Sequence, residues 1–203
     1  MRKLIVKFGW LLIISSLALL LAIFWNVIKN EISYFFSKKS NEVKIVLEDS
    51  VEAKNGTNEV VPADKDFGLI IPKLKLNVKV FPDVDPQNEG QYLSLLKEGV
   101  AHAKNSGRPE SDKQIFIFAH SSENFYVNNQ YNSIFYLLGK LETGDKVHLI
   151  HENSDYQYQV REKRIVKEIE VDYLSQEGSD LVLMTCWPPG TALERLLVIA
   201  EPL

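Results

Sequence analysis

LVLMTCWPPGTALERLLVIA, the stretch from Leu181 to Ala200, decides how the rest of the chain is read. Two apolar runs, Leu181 to Thr185 and Leu196 to Ala200, flank Trp187-Pro188-Pro189-Gly190, where two prolines and a glycine stop any regular element. Each run is short and rich in Leu, Val and Ile, which predicts two strands joined across that connection. Cys186, the only cysteine of the chain, closes the first strand, and Arg195 opens the second. A lone cysteine cannot form an intramolecular disulfide, so it is a buried inert thiol, an intermolecular bridge or a reactive group.

The same texture extends outward from this pair. Gly68-Leu69-Ile70-Ile71-Pro72 is a β-branched run stopped by proline. Leu74, Leu76, Val78 and Val80 alternate with Lys75, Asn77 and Lys79, the period of a half-buried strand, which Pro82 is expected to end. Glu89 to Lys97, with Tyr92, Leu95 and Leu96, predicts a short helix closed by Gly99. Val100 to Ala103 is a weak strand, and Gln114 to Ala119 is apolar enough for burial on both faces. Asn132 to Leu141 reads as helical, and Gly144-Asp145 turns the chain into a strand from Lys146 to Ile150. Tyr156, Tyr158 and Val160 alternate with polar residues, and Ile165 to Val171 predicts a further strand. Many short strands, turn residues between them and two short helices predict a mostly-β sandwich or barrel.

The beginning of the chain is different. Phe8 to Trp25 carries no charge, which is about the 17–25 residues a spanning helix needs. Arg2, Lys3 and Lys7 precede it and place the N-terminus in the cytoplasm, while Trp10 and Trp25 sit where interfacial indoles are common. A cleaved signal peptide has an apolar region of about 7–15 residues and a small-residue cleavage site. Phe24-Trp25-Asn26-Val27-Ile28 offers none, so an uncleaved transmembrane helix is expected. The expected organisation is a cytoplasmic tip and anchor over 1–28, a polar extracytoplasmic stalk over 29–66 and a β domain over 67–203. The stalk reads as a flexible spacer with one apolar patch, Val43 to Leu47. The net charge is -4 and the basic residues are scattered, so no nucleic-acid surface is expected. There is no CxxC and no cysteine–histidine cluster with zinc spacing, so no metal site is expected.

A cysteine attacks as its thiolate, and an unperturbed pKa near 8.5 leaves little thiolate at neutral pH. A neighbouring cation raises that fraction, and His120 and Arg195 are the candidates. His120 ends the apolar run Ile115-Phe116-Ile117-Phe118-Ala119 and precedes the polar Ser121-Ser122-Glu123-Asn124, the place where a rigid strand opens into a loop. His148 and His151 read as surface or cross-strand residues, and His102 as a residue behind the site. A guanidinium at Arg195 suits the developing negative charge of a tetrahedral intermediate.

In this combination the chain resembles the sortases, membrane-anchored cysteine transpeptidases of bacterial surfaces. Gly68 to Leu74 resembles their opening strand, Glu98-Gly99-Val100-Ala101-His102 their Gly-x-x-His stretch, and Ile115 to His120 the strand that ends in the catalytic histidine. Phe135, Leu138, Leu141, Gly144 and Asp145 match a helix and Gly-Asp turn; Val182 to Cys186 resembles the TLxTC motif, with Arg195 after it. The likeness runs from about Gly68 to Pro202. It departs at Val182 for the first threonine, at Ala119 for a glycine and at the turn Ser106-Gly107-Arg108-Pro109, and it keeps each catalytic group.

The resemblance implies a closed β-barrel of about eight strands with one or two short helices behind a single N-terminal transmembrane helix. It implies Cys186 as nucleophile, His120 as acid and base, and Arg195 as the oxyanion donor, with Thr185, Ala119 and Trp187 lining the substrate groove. The substrates implied are exported proteins with an LPxTG-like sorting signal, and the acceptor is an amine of a cell-wall precursor or a pilin lysine. Cofactor-free chemistry by a monomeric extracytoplasmic domain at a bacterial membrane is expected. Some sortases order a loop with calcium; Glu123, Glu152 and Asp155 read here as solvated acids, and no calcium site is assigned. Pilin-polymerising members carry an N-terminal lid with an Asp-Pro-aromatic motif; Asp85-Pro86 is followed by Gln87 and lies inside the domain, which favours anchoring or general transpeptidation over polymerisation. Two alternatives share these residues, a cysteine endopeptidase with water as acceptor and a non-catalytic membrane-tethered β-module. An L,D-transpeptidase fits poorly, since Met184-Thr185 stands where Ser-His-Gly precedes its cysteine.

Overall fold

A computed structural model describes residues 2–36, 43–47, 59–121, 134–167 and 177–203. The chain divides into two units. The first holds helix α1 (Arg2–Phe36). Leu11, Leu12, Ile13 and Ile14 are all exposed, and four consecutive residues at 100° each cover every side of a helix, so α1 has no polar face over this run. The spanning helix expected over Phe8 to Trp25 is not found as such: among the described residues no helix is long and apolar enough to cross a membrane. The side chains described without a break run from Val6 to Ala22, roughly 25 Å of helix against a hydrocarbon core of about 30 Å.

The second unit is the β domain. Its eight main strands are β3 (Phe67–Ile71), β4 (Leu76–Val84), β5 (Val100–Ala103), β6 (Ile115–Phe118), β7 (Lys146–His151), β8 (Ser154–Val166), β9 (Leu181–Trp187) and β10 (Glu194–Pro202). They close into a barrel in the order β3-β4-β5-β6-β9-β10-β8-β7, with β7 pairing back to β3. Closure leaves no edge strand open. Two pairings, β4 with β5 and β6 with β9, are parallel, and the other six are antiparallel. Leu69, Ile71, Val80, Ile117, Leu149, Leu183 and Leu197 fill the interior and are fully buried. The period-two alternation decides which residues these are, since successive side chains of a strand face opposite sides.

The sequence expectation differs from the structure at several points. Pro82 does not end β4; the strand continues to Val84 because the register against β5 slips between Phe81 and Val84. A proline has no N–H to give the ladder, and a bulge is where that loss costs least. The strands expected around Tyr156 and from Ile165 are, within the described residues, one, β8, which pairs with β7 from Ser154 to Gln159 and with β10 from Tyr158 to Val166; residues 168–171 lie outside the described residues. The helical segment expected before Leu141 is, within the described residues, a single 3-10 stretch, Tyr136–Lys140. The polar segment before Phe67 contains β1 (Lys44–Ile45) and β2 (Glu59–Val60), a short parallel pair. It is extended by Val46 N–H donating to Val60 O at 3.0 Å, and Lys65 Nζ ties to Leu47 O at 2.8 Å. The apolar patch from Val43 thus has a partner in Val60. Of the two places expected for His148, surface or cross-strand, the structure has the second: it is buried and its Nδ1 meets both oxygens of Asp155, at 3.0 and 3.1 Å, across β7 and β8.

Candidate active site

The topology itself assembles the site. β6 and β9 are adjacent and parallel, with Phe118 paired to Met184. Two residues further along each chain, His120 and Cys186 are therefore level, and period two sends them to the same side. β9 and β10 are antiparallel, and Arg195 is the register partner of Cys186. Directly opposed residues of an antiparallel pair carry their side chains on one face, with Cβ atoms about 4.5–5.5 Å apart. Three groups from three strand ends thus face one groove. Cys186, His120 and Arg195 all line a cavity of about 600 Å³, a volume suited to a peptide segment or a small molecule.

The ladder is continued beyond the end of β6 by two bonds. Ala119 N–H donates to Met184 O at 3.2 Å, and the buried Thr185 Oγ1 donates to Ala119 O at 3.0 Å. Thr185 and Ala119 also line the groove, so these bonds hold its floor. The Arg195 guanidinium donates from Nη1 to Ala192 O and Glu194 O, both at 3.1 Å, which turns it back over the β9–β10 connection. Cys186 is a free thiol of intermediate exposure.

One wall comes from helix α2 (Glu89–Leu95), which Asn88 caps by accepting Gln91 N–H on Oδ1 at 3.2 Å. Tyr92 and Leu96, four residues apart and so on one helical face, point into the groove with Phe116, Phe118 and Met184 of the barrel. Tyr92 meets Phe118 edge-on, with ring centroids 5.8 Å apart, and His120 at 6.4 Å. Asp85, Pro86 and Gln87 from one connection, and Lys104 and Asn105 from another, complete the rim.

The connection bearing Lys104 and Asn105 is fixed from beneath by His102, which is fully buried and outside the groove. His102 Nε2 donates to Gly107 O at 2.8 Å, and Nδ1 accepts Asp83 N–H at 3.3 Å, so the ring is the neutral Nε2 tautomer. Burial holds its pKa below the ordinary histidine range, against the opposing pull of the Gly107 carbonyl and the Asp83 charge. Asp83 is itself paired with Arg108. A side chain at Gly107 would collide with the Lys113 carbonyl, so this turn requires glycine.

Of the residues singled out in the sequence, Cys186, His120, Arg195, Thr185 and Ala119 are brought together, and Trp187 is not. Its indole lies against Gly139, where an added Cβ would come within 2.8 Å, and it packs on the core instead of the groove. Among the acids considered for calcium, Glu152 sits in the turn between β7 and β8, Asp155 is paired with His148, and Glu123 lies outside the described residues. Among the described residues no three acidic, histidine or cysteine groups form a metal cluster. Sequence reasoning did not place Phe116, Phe118, Met184, Lys104 or Asn105 in the groove, and read Tyr92 and Leu96 only as parts of a helix and Asp85-Pro86-Gln87 only as lying inside the domain. The four-residue spacing of Tyr92 and Leu96 is the signal that could have found that wall.

Comparison with known proteins is decisive for the family. The model of the Sortase domain matches residues 69–203, the whole barrel from β3 onward. The chain belongs to the sortase family. Sortase D of Bacillus subtilis (strain 168) is 25% identical over 171 residues, 81% of this chain and 78% of that protein. In fold, the sortase is similar to sortase C-1 from Actinomyces oris, with a TM-score of 0.56 and 23% identity over 70% of this chain and 75% of that one. It is likewise similar to Sortase A from Corynebacterium diphtheriae, with a TM-score of 0.57 and 19% identity over 69% of this chain and 61% of that one. The chain therefore spans less than two thirds of the latter. Sortases are cysteine transpeptidases of surface proteins, associated with the membrane on its outer side, and this chain shares that enzyme class.

Proposed function

We propose that the sortase cleaves an LPxTG-like sorting signal of exported proteins and joins the freed acyl group to an amine. The observation that carries the roles is the register of β9 on β10 and β6, which sets Arg195 opposite Cys186 and His120 level with it. Cys186 Sγ attacks the carbonyl carbon of the scissile peptide bond as thiolate, forming the C–S bond. The electron pair moves to the carbonyl oxygen, where the Arg195 guanidinium stabilises it. The intermediate collapses with loss of the C–N bond, and the leaving nitrogen takes a proton from the His120 imidazolium. An acceptor amine then attacks the thioester, gives its proton to the neutral His120, and releases the Cys186 thiolate. The apolar wall of Leu96, Phe116, Phe118 and Met184 suits the leucine and proline of such a signal.

Asp85-Pro86-Gln87 belongs to the groove rim inside the domain and carries no aromatic, which supports anchoring to a cell-wall precursor over pilin polymerisation. The charge-free run Phe8 to Trp25 behind Arg2, Lys3 and Lys7 supports α1 as the element that holds the enzyme at the membrane, N-terminus inside. The test is transpeptidation by the full chain in detergent, with LPxTG-like peptides and a triglycine or lysine-side-chain amine. A new amide made by the wild type and not by Cys186→Ala supports the reading. Release of free acid alone, whatever the amine concentration, would make the enzyme an endopeptidase.

A further inference from the structure

The groove has two ends, and only one of them holds the reacting groups. Its floor is a double row, Phe116, Phe118 and His120 on the β6 side and Met184 and Cys186 on β9. Alternate residues of a strand share a face, so from His120 back to Phe116 the row runs roughly 13 Å, at about 3.3 Å per residue. Lys104 stands past the Phe116 end. The register of β5 on β6 sets His102 opposite Ile117 and so Ala103 opposite Phe116, and Lys104 is the next residue. Its backbone is fixed there. Lys104 N–H donates to Val84 O at 2.8 Å, Asn105 takes the left-handed turn conformation at φ 70°, and Ser106 Oγ donates to Ala103 O at 2.7 Å. Lys104 is exposed on the groove rim, and among the described residues its ammonium has no ion-pair partner.

We propose that Lys104 is a specificity-determining residue, selecting an acidic side chain immediately before the leucine of the sorting signal. The inference rests on the proposed reading of the substrate as an LPxTG-like signal with its leucine and proline on the apolar wall. With the threonine carbonyl at Cys186, the residue before the leucine is the fourth one upstream. An extended chain covers about 3.3 Å per residue, so that residue lies roughly 13 Å from the thiol, level with Phe116 and within reach of the long lysine stem. The other charged or titratable groups lining the groove are His120, Cys186 and Arg195 at the reacting end and Asp85 beside Lys104, one residue past the Val84–Ala103 register pair. Asp85 Oδ1 accepts Gln87 N–H at 2.9 Å, which ties that carboxylate to its own turn. The Lys104 ammonium is then, among the described residues, the unpaired cation at this end. An exposed ammonium exerts a modest attraction, and one that salt screens.

The experiment measures transfer to triglycine by wild type, Lys104→Gln and Lys104→Glu as full chains in detergent. Three LPxTG-like peptides carry glutamate, glutamine or lysine immediately before the leucine and are otherwise identical. Wild type is expected to prefer glutamate over glutamine about threefold and over lysine about 10-fold in kcat/KM, the size of an exposed ion pair and of the matching repulsion. The difference falls on KM, with kcat within about twofold, because the contact is remote from the reacting atoms and equal in ground and transition states. Lys104→Gln is expected to abolish the preference and Lys104→Glu to reverse it. At 1 M salt, where the screening length is about 3 Å, the wild-type preference should shrink towards unity. Both substitutions replace an exposed side chain, so both variants are expected to fold. Three peptides turned over equally by wild type, or a preference that both variants keep, would overturn the proposal and leave the substrate reading in place. Turnover of none of the peptides would overturn the substrate reading and the proposal with it.

Discussion

Arg195 and Cys186 are register partners across one antiparallel pair, and the proposed role of the guanidinium rests on that placement. Its bonds to Ala192 O and Glu194 O hold it over the β9–β10 connection. Replacing it with alanine is expected to lower kcat roughly 10²–10³-fold, the range for loss of one oxyanion donor. Lysine should recover only part, because a point charge lacks the planar fork. Steady-state transfer kinetics check this, and a variant within twofold of wild type would remove Arg195 from the reaction. The pairing was half legible in the sequence. Cys186 and Arg195 flank Trp187-Pro188-Pro189-Gly190, so a hairpin was foreseeable, but the register depends on the geometry of the connection, which no alternation pattern encodes. Trp187 shows the converse. Its proximity to Cys186 along the chain suggested the groove, whereas its place depends on Gly139, a residue distant in sequence whose missing side chain makes room for the indole.

At the scale of elements, a buried ion pair ties the turn between β3 and β4 to the approach of β7. Lys73 in the 3-10 turn Pro72–Leu74 donates to Asp145 at 2.6 Å and to Glu142 at 2.9 Å, and the Lys73 and Asp145 side chains are 3% and 5% exposed. Asp145 Oδ2 also accepts Glu142 N–H at 2.6 Å. Burial pulls the Lys73 ammonium down, and the two carboxylates outweigh it, leaving its pKa above the ordinary lysine value. A raised lysine contributes its stabilisation in full below the unfolded value near 10.4, and that contribution is lost as pH rises through the folded value. Asp145→Ala, which strands the buried ammonium, is expected to cost about 3–5 kcal/mol in denaturant unfolding at pH 7. Adding Lys73→Met should return much of it. A single-variant loss below about 1 kcal/mol would show the pair to be solvated. Elements such as this turn were readable because Pro72 and the alternation around it are local signals. The continuation of β4 past Pro82 was not, because it rests on a register slip against β5, a strand met later in the chain.

At the scale of the whole domain, the sequence identifies strands and their inner faces, but not their neighbours. Val78 and Val80 could be assigned to a core from period two, yet the parallel contact of β6 with β9, which makes the site, joins segments separated by nearly half of the barrel sequence. His148, left open in the sequence between a surface and a cross-strand place, is the cross-strand residue, and only the fold reveals that its side of β7 is covered. His102 gives the domain a pH dependence of its own. Burial depresses its pKa, so its contribution is complete above the unfolded value near 6.5 and is lost as pH falls through the folded value. Thermal unfolding should show stability declining below about pH 6.5, and His102→Gln, less stable at pH 7.5, should lose that part of the decline. An unchanged profile in the variant would assign the decline to other groups. Cys186 is proposed to form a thioester with a sorting signal, and intact-mass spectrometry reads that adduct out. The full chain is mixed with an LPxTG-like peptide without amine and then with triglycine. An acyl adduct on Cys186 that triglycine discharges as a new amide is expected, and no adduct on Cys186→Ala. An adduct on another residue, or turnover by Cys186→Ala, would contradict it.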